Sequence, residues 1–466
     1  MLRQFILSIG LILSICIASQ SLYTFSPDWE NTHYMRTIDL SKSYVKETDL
    51  IDIKNIATTP LKEYIYTIND GFDSVDNLSM ISFQLNDQLI EIPFEIIVPN
   101  KIYKLKLPLP VSPNSNLEIK VNYVYINQLK SIPSKIKLED TQQLLFKTNK
   151  FPFSPYVTKD YTMSLTGMSK GQEMDLNIDD KVNSTENVPV LEPRVDNQSL
   201  KYGPLIEDLH PFTLKPMGLM YDHNRPLTEV INLNRSIWLP GSNVNKVSIE
   251  EYYELTNSGA QLSSGFSRVD WMKGRYEGTR NHWALSHLEF PLVNRDLDDY
   301  YYTDKVGVVS SHKKISNHLL LSPRFPIFGG WHYNFTLGWS ENLNNFIHKI
   351  NNDEYIIKFP ILNTLRDTVY DNVYLEFYLP EGSIFEDVVS PIPYTDVTVS
   401  NELSYFDVSK GHVKVTIHYK DLFDDIFKLE VFLKYKYETV NIFIKIGKIS
   451  GFVFIGLMSY YFLNLL

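Results

Sequence analysis

The last eighteen residues, 449–466, constrain the fold more than any other part of this sequence because they carry no charge. A helix of that length would be about 27 Å long, close to the hydrocarbon thickness of an endoplasmic reticulum bilayer. The core helix of a soluble domain rarely needs so long an apolar run. We therefore predict a transmembrane helix over 449–466, preceded by a juxtamembrane approach over 441–448.

The opposite end of the chain has the features of a secretory signal peptide. A basic start at Arg3 precedes an apolar run over 5–18, and the small residues Cys16 and Ala18 occupy positions minus three and minus one of a cleavage site. Polar sequence follows at once. A cleaved signal peptide over 1–18 and a stop-transfer helix at the other end predict a single-pass type I membrane protein whose bulk is lumenal or extracellular.

Two features bear on this topology. Lys445 and Lys448 precede the apolar stretch and no basic residue follows it in the sequence, so the positive-inside pattern is absent. We expect the signal peptide to dominate because it commits the chain before the last helix is made. A GPI signal is the alternative, but residues 435–441 are bulky where that signal needs small residues.

Cysteine content and charge exclude several classes of function. The single cysteine is Cys16, inside the predicted signal peptide, so the mature chain can form no disulfide, thiol nucleophile or thiolate metal site. The net charge of −11 argues against a nucleic-acid partner. The length favours two domains.

Period-two alternation of apolar and polar residues recurs along the chain and predicts many half-buried strands. It is clearest over 117–123, 412–419 and 429–435, and further strand candidates are 63–68, 78–85, 90–98, 103–107, 247–255, 319–321 and 373–379. The one internal helix candidate lies near 138–146. This pattern predicts a mainly β protein of antiparallel sheets, most simply packed as sandwiches.

A polar segment over 169–201 interrupts the alternation. It is rich in Asp, Asn, Glu and Ser and contains Pro189 and Pro193. Such composition predicts an exposed insert or long loop. Composition alone would place a domain boundary there.

No short catalytic motif is present in the sequence: there is no His-Glu-x-x-His, nucleophile elbow or glycine-rich phosphate or dinucleotide loop. His282 and His287 are five residues apart and His312 and His318 six, spacings that do not place two imidazoles on one helical face. We therefore predict no metal and no cofactor.

Two pairs of adjacent carboxylates could be imagined as an acid and a base. They are Asp298 with Asp299 and Asp424 with Asp425. Neighbouring residues on a strand point to opposite faces, so we interpret these pairs as turn residues or a solvated edge. His418 and Lys414 belong to the polar face of an alternating strand. No catalytic residue is predicted.

Five Asn-x-Ser/Thr sequences follow the signal peptide and are candidate N-glycosylation sites. They are Asn77, Asn183, Asn197, Asn234 and Asn334. Asn183 and Asn197 are the favoured acceptors because they lie in the polar insert, where the backbone is expected to be accessible. The alternative is chance, since the chain is rich in Asn.

Residues 324–331 resemble the R-F-P-hydrophobic-F-G-G-W motif of the ribophorin I family, the large single-span subunits of the oligosaccharyltransferase complex. The motif residues here are Arg324, Phe325, Pro326, Ile327, Phe328, Gly329, Gly330 and Trp331. Shorter matches occur in the family order at 154–156 with Thr158, 202–204, 265–270, 301–304 with Gly307, and 379–382. The eight-residue motif is specific to the family. Each shorter match is weak by itself, but together they support the resemblance because they occur in the same order as in the family.

The motif also has a physical interpretation without the family. Pro326 and the Gly329–Gly330 pair do not suit a central strand, so we expect a strand followed by a sharp turn. Large side chains and one cation then lie close together. They either pack a corner between sheets or form a contact surface for a partner subunit.

The resemblance implies an accessory subunit without the catalytic site. Transfer of a preassembled oligosaccharide from a dolichol-pyrophosphate donor to Asn would belong to a separate multispan subunit. The implied partners are that subunit, a small membrane subunit, other subunits of the complex, the nascent polypeptide and the lipid bilayer, with roles in complex stability and in positioning the acceptor chain.

The resemblance also implies two lumenal β-sandwich domains, similar to the non-catalytic domains of M1 aminopeptidases. We expect the first over 19–226, including the polar insert, and the second over 227–440. The sequence ends at Leu466, like the fungal form of the family, so no cytosolic segment is expected. Two other functions stay open: a single-span lumenal chaperone or cargo receptor, and a lumenal hydrolase with an unrecognised site.

The apolar stretch itself is a candidate intramembrane interface. Gly447 and Gly451 have the small-x-x-x-small spacing of close helix pairs, and Ser459 follows two turns after Gly451. Ile455 interrupts this face. We expect the stretch to bind a neighbouring helix as well as to anchor the chain.

Overall fold

The computed structural model describes residues 25–69, 77–85, 90–176, 185, 188–196, 199–241, 245–277, 283–292, 297–351, 353–404, 407 and 410–465. The predicted signal peptide lies outside these residues. The predicted class is confirmed: the fold is mainly β, with one long apolar helix near the C-terminus.

Within the described residues, the first half of the chain, up to residue 227, contains seventeen strands. They are β1 (Trp29–Asp39), β2 (Val45–Asn55), β3 (Leu61–Thr67), β4 (Leu78–Leu85), β5 (Ile90–Glu91), β6 (Phe94–Val98), β7 (Ile102–Val111), β8 (Asn116–Tyr125), β9 (Lys130–Ser131), β10 (Lys135–Ile136), β11 (Gln143–Asn149), β12 (Val157–Thr158), β13 (Tyr161–Thr166), β14 (Ser169–Asp175), β15 (Pro193–Asp196), β16 (Ser199–Leu205) and β17 (Pro216–Asp222).

The described part of the second half contains sixteen strands and two α-helices. They are β18 (Thr228–Trp238), β19 (Lys246–Asn257), β20 (Gln261–Leu262), α1 (Arg268–Glu277), β21 (Leu288–Pro291), β22 (Asp298–Asp304), β23 (Gly307–Val308), β24 (His312–Ile315), β25 (His318–Leu321), β26 (His332–Asn342), β27 (Ile347–Lys349), β28 (Glu354–Pro360), β29 (Thr368–Leu379), β30 (Ile384–Val389), β31 (Asp396–Glu402), β32 (His412–Phe423), β33 (Glu430–Lys436) and α2 (Val440–Leu465).

Each half has one large sheet and two smaller ones. In the first half the large sheet runs β15-β16-β13-β1-β2-β8-β4-β5, with β12 beside β1, and the smaller sheets are β14-β17-β11-β9 and β3-β7-β6. In the second half the large sheet runs β23-β22-β26-β19-β18-β29-β32-β31, and the smaller sheets are β27-β28-β33-β30 and β21-β25-β24. Strands β10 and β20 pair across the two halves.

The two halves repeat one arrangement. Each large sheet contains an antiparallel pair, β1–β2 or β18–β19, whose first strand also pairs in parallel with a later strand, β13 or β29. The prediction named antiparallel sheets, and these parallel pairs are an addition to it. The sequence shows no fixed period because the connecting segments differ in length.

Each half contains a fully buried arginine–glutamate pair on its equivalent antiparallel strand pair, β1–β2 in the first half and β18–β19 in the second. Arg36 on β1 binds Glu47, and its other nitrogens donate to the Asn149 carbonyl and the Thr148 hydroxyl at the end of β11. Arg235 on β18 donates to Glu251 at 2.6 Å and to the carbonyl of Pro360 at the end of β28. Each arginine thus ties a large sheet to the smaller sheet opposite it, because buried guanidinium groups need several acceptors.

Two hydrophobic cores follow the same division. One is built from buried residues between Trp29 and Leu227. The other extends from Val230 to Tyr435, and the first half adds Tyr44, Val124 and Ile126 to it. The halves therefore meet through an apolar contact as well as through polar bonds.

Polar bonds at this contact involve a carboxylate pair, Asp424 and Asp425, that we interpreted as turn residues or a solvated edge. The Asp424 side chain is buried, accepts a hydrogen bond from the Tyr44 hydroxyl and lies 3.1 Å from Lys42 Nζ. Asp425 pairs with Lys42 at 2.8 Å. Asp424 begins a 3-10 helical turn over Asp424–Lys428, as one of the two interpretations expected, but it does not lie at a solvated edge, because Tyr44 and Lys42 of the other half bind its carboxylate.

Several boundaries differ from the predictions. The helix candidate near 138–146 is wrong: β11 occupies 143–149, where one face is fully buried and the other also buries Leu145, which hides the period-two signal. The candidate over 90–98 divides into β5 and β6 around Pro93, where the chain passes from the large sheet to a smaller one. The start of the polar insert is strand β14, paired with β17.

Both helices also differ from expectation. Helix α1 was not predicted, although the Ser267 hydroxyl accepts a hydrogen bond from the Asp270 N–H, an N-cap arrangement readable as Ser-x-x-Asp. Helix α2 begins at Val440, nine residues before the predicted start, so the juxtamembrane approach is its first two turns. Of the described residues, only this helix is long and apolar enough to cross a membrane.

Candidate assembly site at the base of the apolar helix

The first turns of α2 are held against the globular part by buried charges. Lys445 Nζ lies 2.7 Å from Asp407 Oδ1 and 3.3 Å from Glu381 Oε2. The side chain of Asp407 is fully buried and that of Glu381 nearly so. His412 Nδ1, at the start of β32, lies 2.6 Å from the second oxygen of Asp407. We call these four residues the helix clamp.

The electrostatics of the helix clamp favour an ionised Asp407. Burial alone would raise the pKa of this carboxyl. Hydrogen bonds from Lys445, the Ser404 N–H and His412 overcome that effect and hold its pKa below the ordinary value. A buried carboxylate with this many donors is stabilised only while its cation stays in place.

Hydrogen bonds to two turns complete the contact. The Asn441 amide donates to the Gly382 carbonyl at 3.2 Å, and the Tyr437 hydroxyl donates to the Gly241 carbonyl at 3.0 Å. Gly382 has a φ of +89°, which favours glycine. The weak family match over 379–382 is thus the turn that receives the helix.

A groove of about 290 Å³ lies beside the helix clamp. Its walls include Pro380 and Tyr437 from the globular part and Ile442, Ile446 and Ile449 from the helix. Ile442, Lys445 and Ile449 are half-buried. They lie on the face of α2 that contacts the globular part, and at 3.6 residues per turn Gly447 and Gly451 lie on roughly the opposite face.

The candidate interface glycines have open space around them. No atom lies within 4 Å of the position that a Cβ would take at Gly447 or Gly451. Ser459 donates its hydroxyl to the Ile455 carbonyl of its own helix at 2.8 Å. The contact role of these residues stays a prediction.

The eight-residue family motif divides into a buried part and an exposed part. Ile327 and Phe328 are fully buried, and Pro326 is buried beside them. Phe328 packs against Trp283 and Trp331, with ring centroids 5.0 and 5.4 Å away. This aromatic cluster also holds Ile136 from the first half, so the motif packs where the halves meet.

Both glycines of the motif are explained by their surroundings. A Cβ on Gly329 would lie 2.2 Å from the carbonyl oxygens of Gly259 and Ala260. Gly330 has a φ of +77°. The motif itself does not begin with the expected strand: β25 ends before it at Leu321, Ile327 forms only an isolated antiparallel bridge with Leu285, and β26 follows the turn.

Arg324 and Phe325 form the exposed part of the motif. Arg324 Nε lies 2.6 Å from Asp304 Oδ2, and this pair holds the pKa of Asp304 below its ordinary value even though burial opposes it. Phe325 is 40% exposed and meets Trp331 and Tyr333 edge-on. Whether this part contacts a partner stays a prediction.

Three of the five candidate glycosylation sites lie within the described residues. Asn234 on β18 and Asn334 on β26 are half-buried on the outer face of the large sheet, and the Asn334 amide donates to the Tyr252 hydroxyl at 2.9 Å. Asn77 directly precedes β4. Asn183 and Asn197 lie outside the described residues.

The remaining sequence candidates do not come together. His312 lies in hairpin β24–β25 with His318, His287 contacts Ser322, and His282 lies outside the described residues. Within the described ranges, no three His, Cys, Asp or Glu side chains are grouped so that they could hold a metal ion. Burial and Glu47 raise the pKa of Asp49 to about 7, but Tyr34, Tyr66 and Asn69 all donate to it inside the core.

Sequence reasoning missed the helix clamp. One signal was available: Lys445 is one of two cations within the apolar helix, and Glu381 belongs to a family match. Asp407 gave no signal, because it lies in a connection without periodicity.

Comparison with known proteins gives one consistent result. The family model described as ribophorin I matches residues 29–464. Dolichyl-diphosphooligosaccharide–protein glycosyltransferase subunit 1 of Schizosaccharomyces pombe is 24% identical over 432 residues, which cover 91% of this chain and 92% of the relative. Subunit 1B of Arabidopsis thaliana is 26% identical over 422 residues, 85% of each chain.

Likeness to solved structures is weak. A structure of native yeast LTA4 hydrolase aligns with 48% of this chain and with 33% of the hydrolase chain. The aligned residues are 10% identical, and the TM-score is 0.27. So low a score supports no inference.

Proposed function

This chain belongs to the ribophorin I family, and we propose that it is a non-catalytic subunit of the endoplasmic reticulum oligosaccharyltransferase complex. The observation that carries the proposal is the family match along nearly the whole described chain, together with relatives named as subunit 1 of the dolichyl-diphosphooligosaccharide–protein glycosyltransferase. The complex transfers a preassembled oligosaccharide to Asn in Asn-x-Ser/Thr of nascent polypeptides. This subunit stabilises the complex and positions the acceptor chain.

The proposed topology is type I, with both halves in the lumen and α2 in the bilayer. It is supported by the uncharged length of the helix beyond Lys448 and by the signal-like N-terminus. We propose two lumenal domains with a boundary near Leu227, supported by the separate cores on either side of that residue. The partners are the catalytic multispan subunit, a small membrane subunit and the nascent polypeptide.

N-glycans and a partner helix would occupy different parts of this subunit. The five Asn-x-Ser/Thr sites are the proposed N-glycan acceptors, with Asn183 and Asn197 favoured; of the others, Asn234 and Asn334 lie on either side of β19. Gly447 and Gly451 would contact a partner helix on the side of α2 that faces away from the globular part.

Copurification tests the proposal. The tagged full-length chain is solubilised from membranes in mild detergent, and the associated proteins are identified by mass spectrometry. We expect the catalytic oligosaccharyltransferase subunit in near-stoichiometric amount, and its absence would contradict the assignment. Protease protection of both halves in sealed microsomes tests the topology separately.

A further inference from the structure

Strand β6 is an open and apolar sheet edge. It is the outermost strand of the sheet β3-β7-β6, and within the described ranges it pairs only with β7. Three of its five side chains are large, apolar and exposed: Phe94 at 40%, Ile96 at 55% and Val98 at 37%. Its single charge is Glu95, whose carboxylate lies 3.4 Å from Lys106 Nζ.

The main chain of β6 has hydrogen-bonding groups that face away from the sheet. The Lys106 N–H donates to the Pro93 carbonyl at 2.8 Å, which marks a bonded pair of the antiparallel ladder. Bonded and non-bonded pairs alternate, so Phe94 and Ile96 fall at non-bonded positions opposite Leu105 and Tyr103. Their N–H and C=O groups therefore point outward, ready to pair with another strand.

Three other sheet edges carry features that hinder pairing, whereas β6 has only a β-bulge between Ile96 and Val98, beyond the two outward-facing positions. Strand β15 begins at Pro193, strand β31 carries Asp396 and Glu402 at its two ends, and β23 has two residues. On β6 the prolines, Pro93 and Pro99, lie just outside the strand. They limit pairing to a segment roughly 17 Å long, the length of five extended residues.

The apolar side chains of β6 border the core. The Phe94 ring lies 5.1 Å from that of Phe83 and 5.7 Å from that of Tyr103, both of which are buried. A strand added at this edge would place alternate side chains next to Phe94 and Ile96. Main-chain pairing would supply affinity, and this apolar strip would favour one hydrophobic side chain.

We propose that β6 binds an extended segment of unfolded polypeptide, the acceptor chain, as an added β-strand. An added strand would bury roughly 200 Å², which is the area of a strip as long as β6 and about one sheet thickness wide. A stable subunit interface buries about 800 Å² per partner. The edge therefore suits a transiently bound chain better than a permanent subunit. Main-chain recognition accepts many sequences, as a site for varied substrates must. This inference rests on the proposed function.

Site-specific crosslinking in the assembled complex tests the inference. A photoreactive amino acid replaces Glu95 in the full chain, and microsomes containing it translocate a radiolabelled secretory precursor with one acceptor site. We expect a crosslink between this subunit and the precursor. Crosslinks exclusively to another subunit, or none to the precursor, would overturn the inference.

Two substitutions at Ile96 separate main-chain pairing from side-chain contact. Ile96→Pro removes an outward N–H without removing a bond to β7, and Ile96→Val keeps the N–H. We expect Ile96→Pro to lower the precursor crosslink at least about five-fold, the effect of one lost hydrogen bond, and Ile96→Val to leave it unchanged. Equal crosslinks in both variants would refute strand addition.

Copurification of the catalytic subunit is measured on the same samples. If that subunit copurifies while the Ile96 variants behave alike, the edge inference fails and the proposed function stands. If it does not copurify even with the unmodified chain, the proposed function itself fails.

Discussion

Lys445 on the apolar helix and the buried carboxylate of Asp407 form an ion pair with a 2.7 Å contact. The two residues belong to different parts of the molecule, the helix and a connection of the second half. Because His412 and Glu381 also converge on this pair, the rotation of the helix about its axis is set by the globular part. Any partner helix must then approach from the remaining faces.

Loss of the Lys445 charge should loosen this contact. In Lys445→Met, Asp407 stays buried without its cation, and we expect local destabilisation of about 1–3 kcal/mol. Hydrogen exchange of residues 380–383 in the detergent-solubilised protein should accelerate. Lys448→Met is the matched control, because Lys448 is exposed three residues along the same helix. Equal exchange in both variants would show that the helix clamp does not hold the helix.

A methyl group at Gly329 should disrupt the joint between the two halves. Its Cβ would lie 2.2 Å from two carbonyl oxygens, so the backbone must move and the aromatic cluster around Phe328 must repack. We expect Gly329→Ala to lower the free energy of unfolding by about 1–3 kcal/mol, measured by denaturant titration of tryptophan fluorescence. Gly265→Ala has open space and should be nearly neutral. Equal midpoints for the two variants would contradict this account.

The buried arginine of the second half should be far more important than a surface cation. Arg235→Met leaves Glu251 buried without its partner, which costs about 3–5 kcal/mol. By contrast, Lys106→Met breaks an exposed pair with Glu95 and should cost about 1 kcal/mol or less. Thermal unfolding of the detergent-solubilised variants measures both. A loss for Arg235→Met no greater than for Lys106→Met would show that the pair does not hold the sheets together.

Much of the strand pattern could be predicted because many strands bury one face and partly expose the other to solvent, as β2 does. The candidate over 78–85 coincides with β4, and the candidate over 412–419 lies within β32. Prediction failed at β11, where Leu145 is buried on the face that also carries the exposed Lys147, so apolar and polar residues do not alternate. An alternating sequence indicates a strand with one buried face. It does not indicate a strand whose other face is covered by residues distant in the sequence.

The candidate site was less predictable because it depends on contacts between distant residues. The Asp407–Lys445 contact spans 38 residues, and the Tyr44–Asp424 contact between the halves spans 380. The family motif indicated the joint near Phe328, since its glycines and aromatic residues need close packing. The partner of Lys445 could be found only in the folded chain.

Stability should depend on pH through Asp371 at the contact between the halves. Burial and the neighbouring Glu229 raise the pKa of Asp371 to about 7, although the Asn127 amide donates to it at 3.0 Å. Because the pKa is higher in the folded chain than in the unfolded one, this stabilisation is full at low pH and is lost as pH rises through 7. We expect the free energy of unfolding to fall between pH 6 and pH 8.

Asp371→Asn isolates this effect, because an amide cannot ionise but still accepts the bond from Asn127. The fall between pH 6 and pH 8 should be smaller in the variant than in the unmodified protein. Asp49, which also has a raised pKa, contributes equally to both proteins and cancels in the comparison. Identical pH profiles would exclude Asp371 as a source of the dependence.

A bulky residue at Gly451 should weaken association with a partner helix. Gly451 lies on the face of α2 that points away from the globular part, where close approach of backbones requires small residues. We expect Gly451→Leu to lower copurification of a neighbouring membrane subunit roughly ten-fold, equivalent to about 1.4 kcal/mol. Gly456→Leu is the control: it also has open space, and both substitutions raise helix propensity equally. If the Gly451→Leu variant copurified the subunit normally, the prediction would be wrong. The face of α2 opposite the helix clamp would then bind no partner helix, and α2 would serve as a membrane anchor alone.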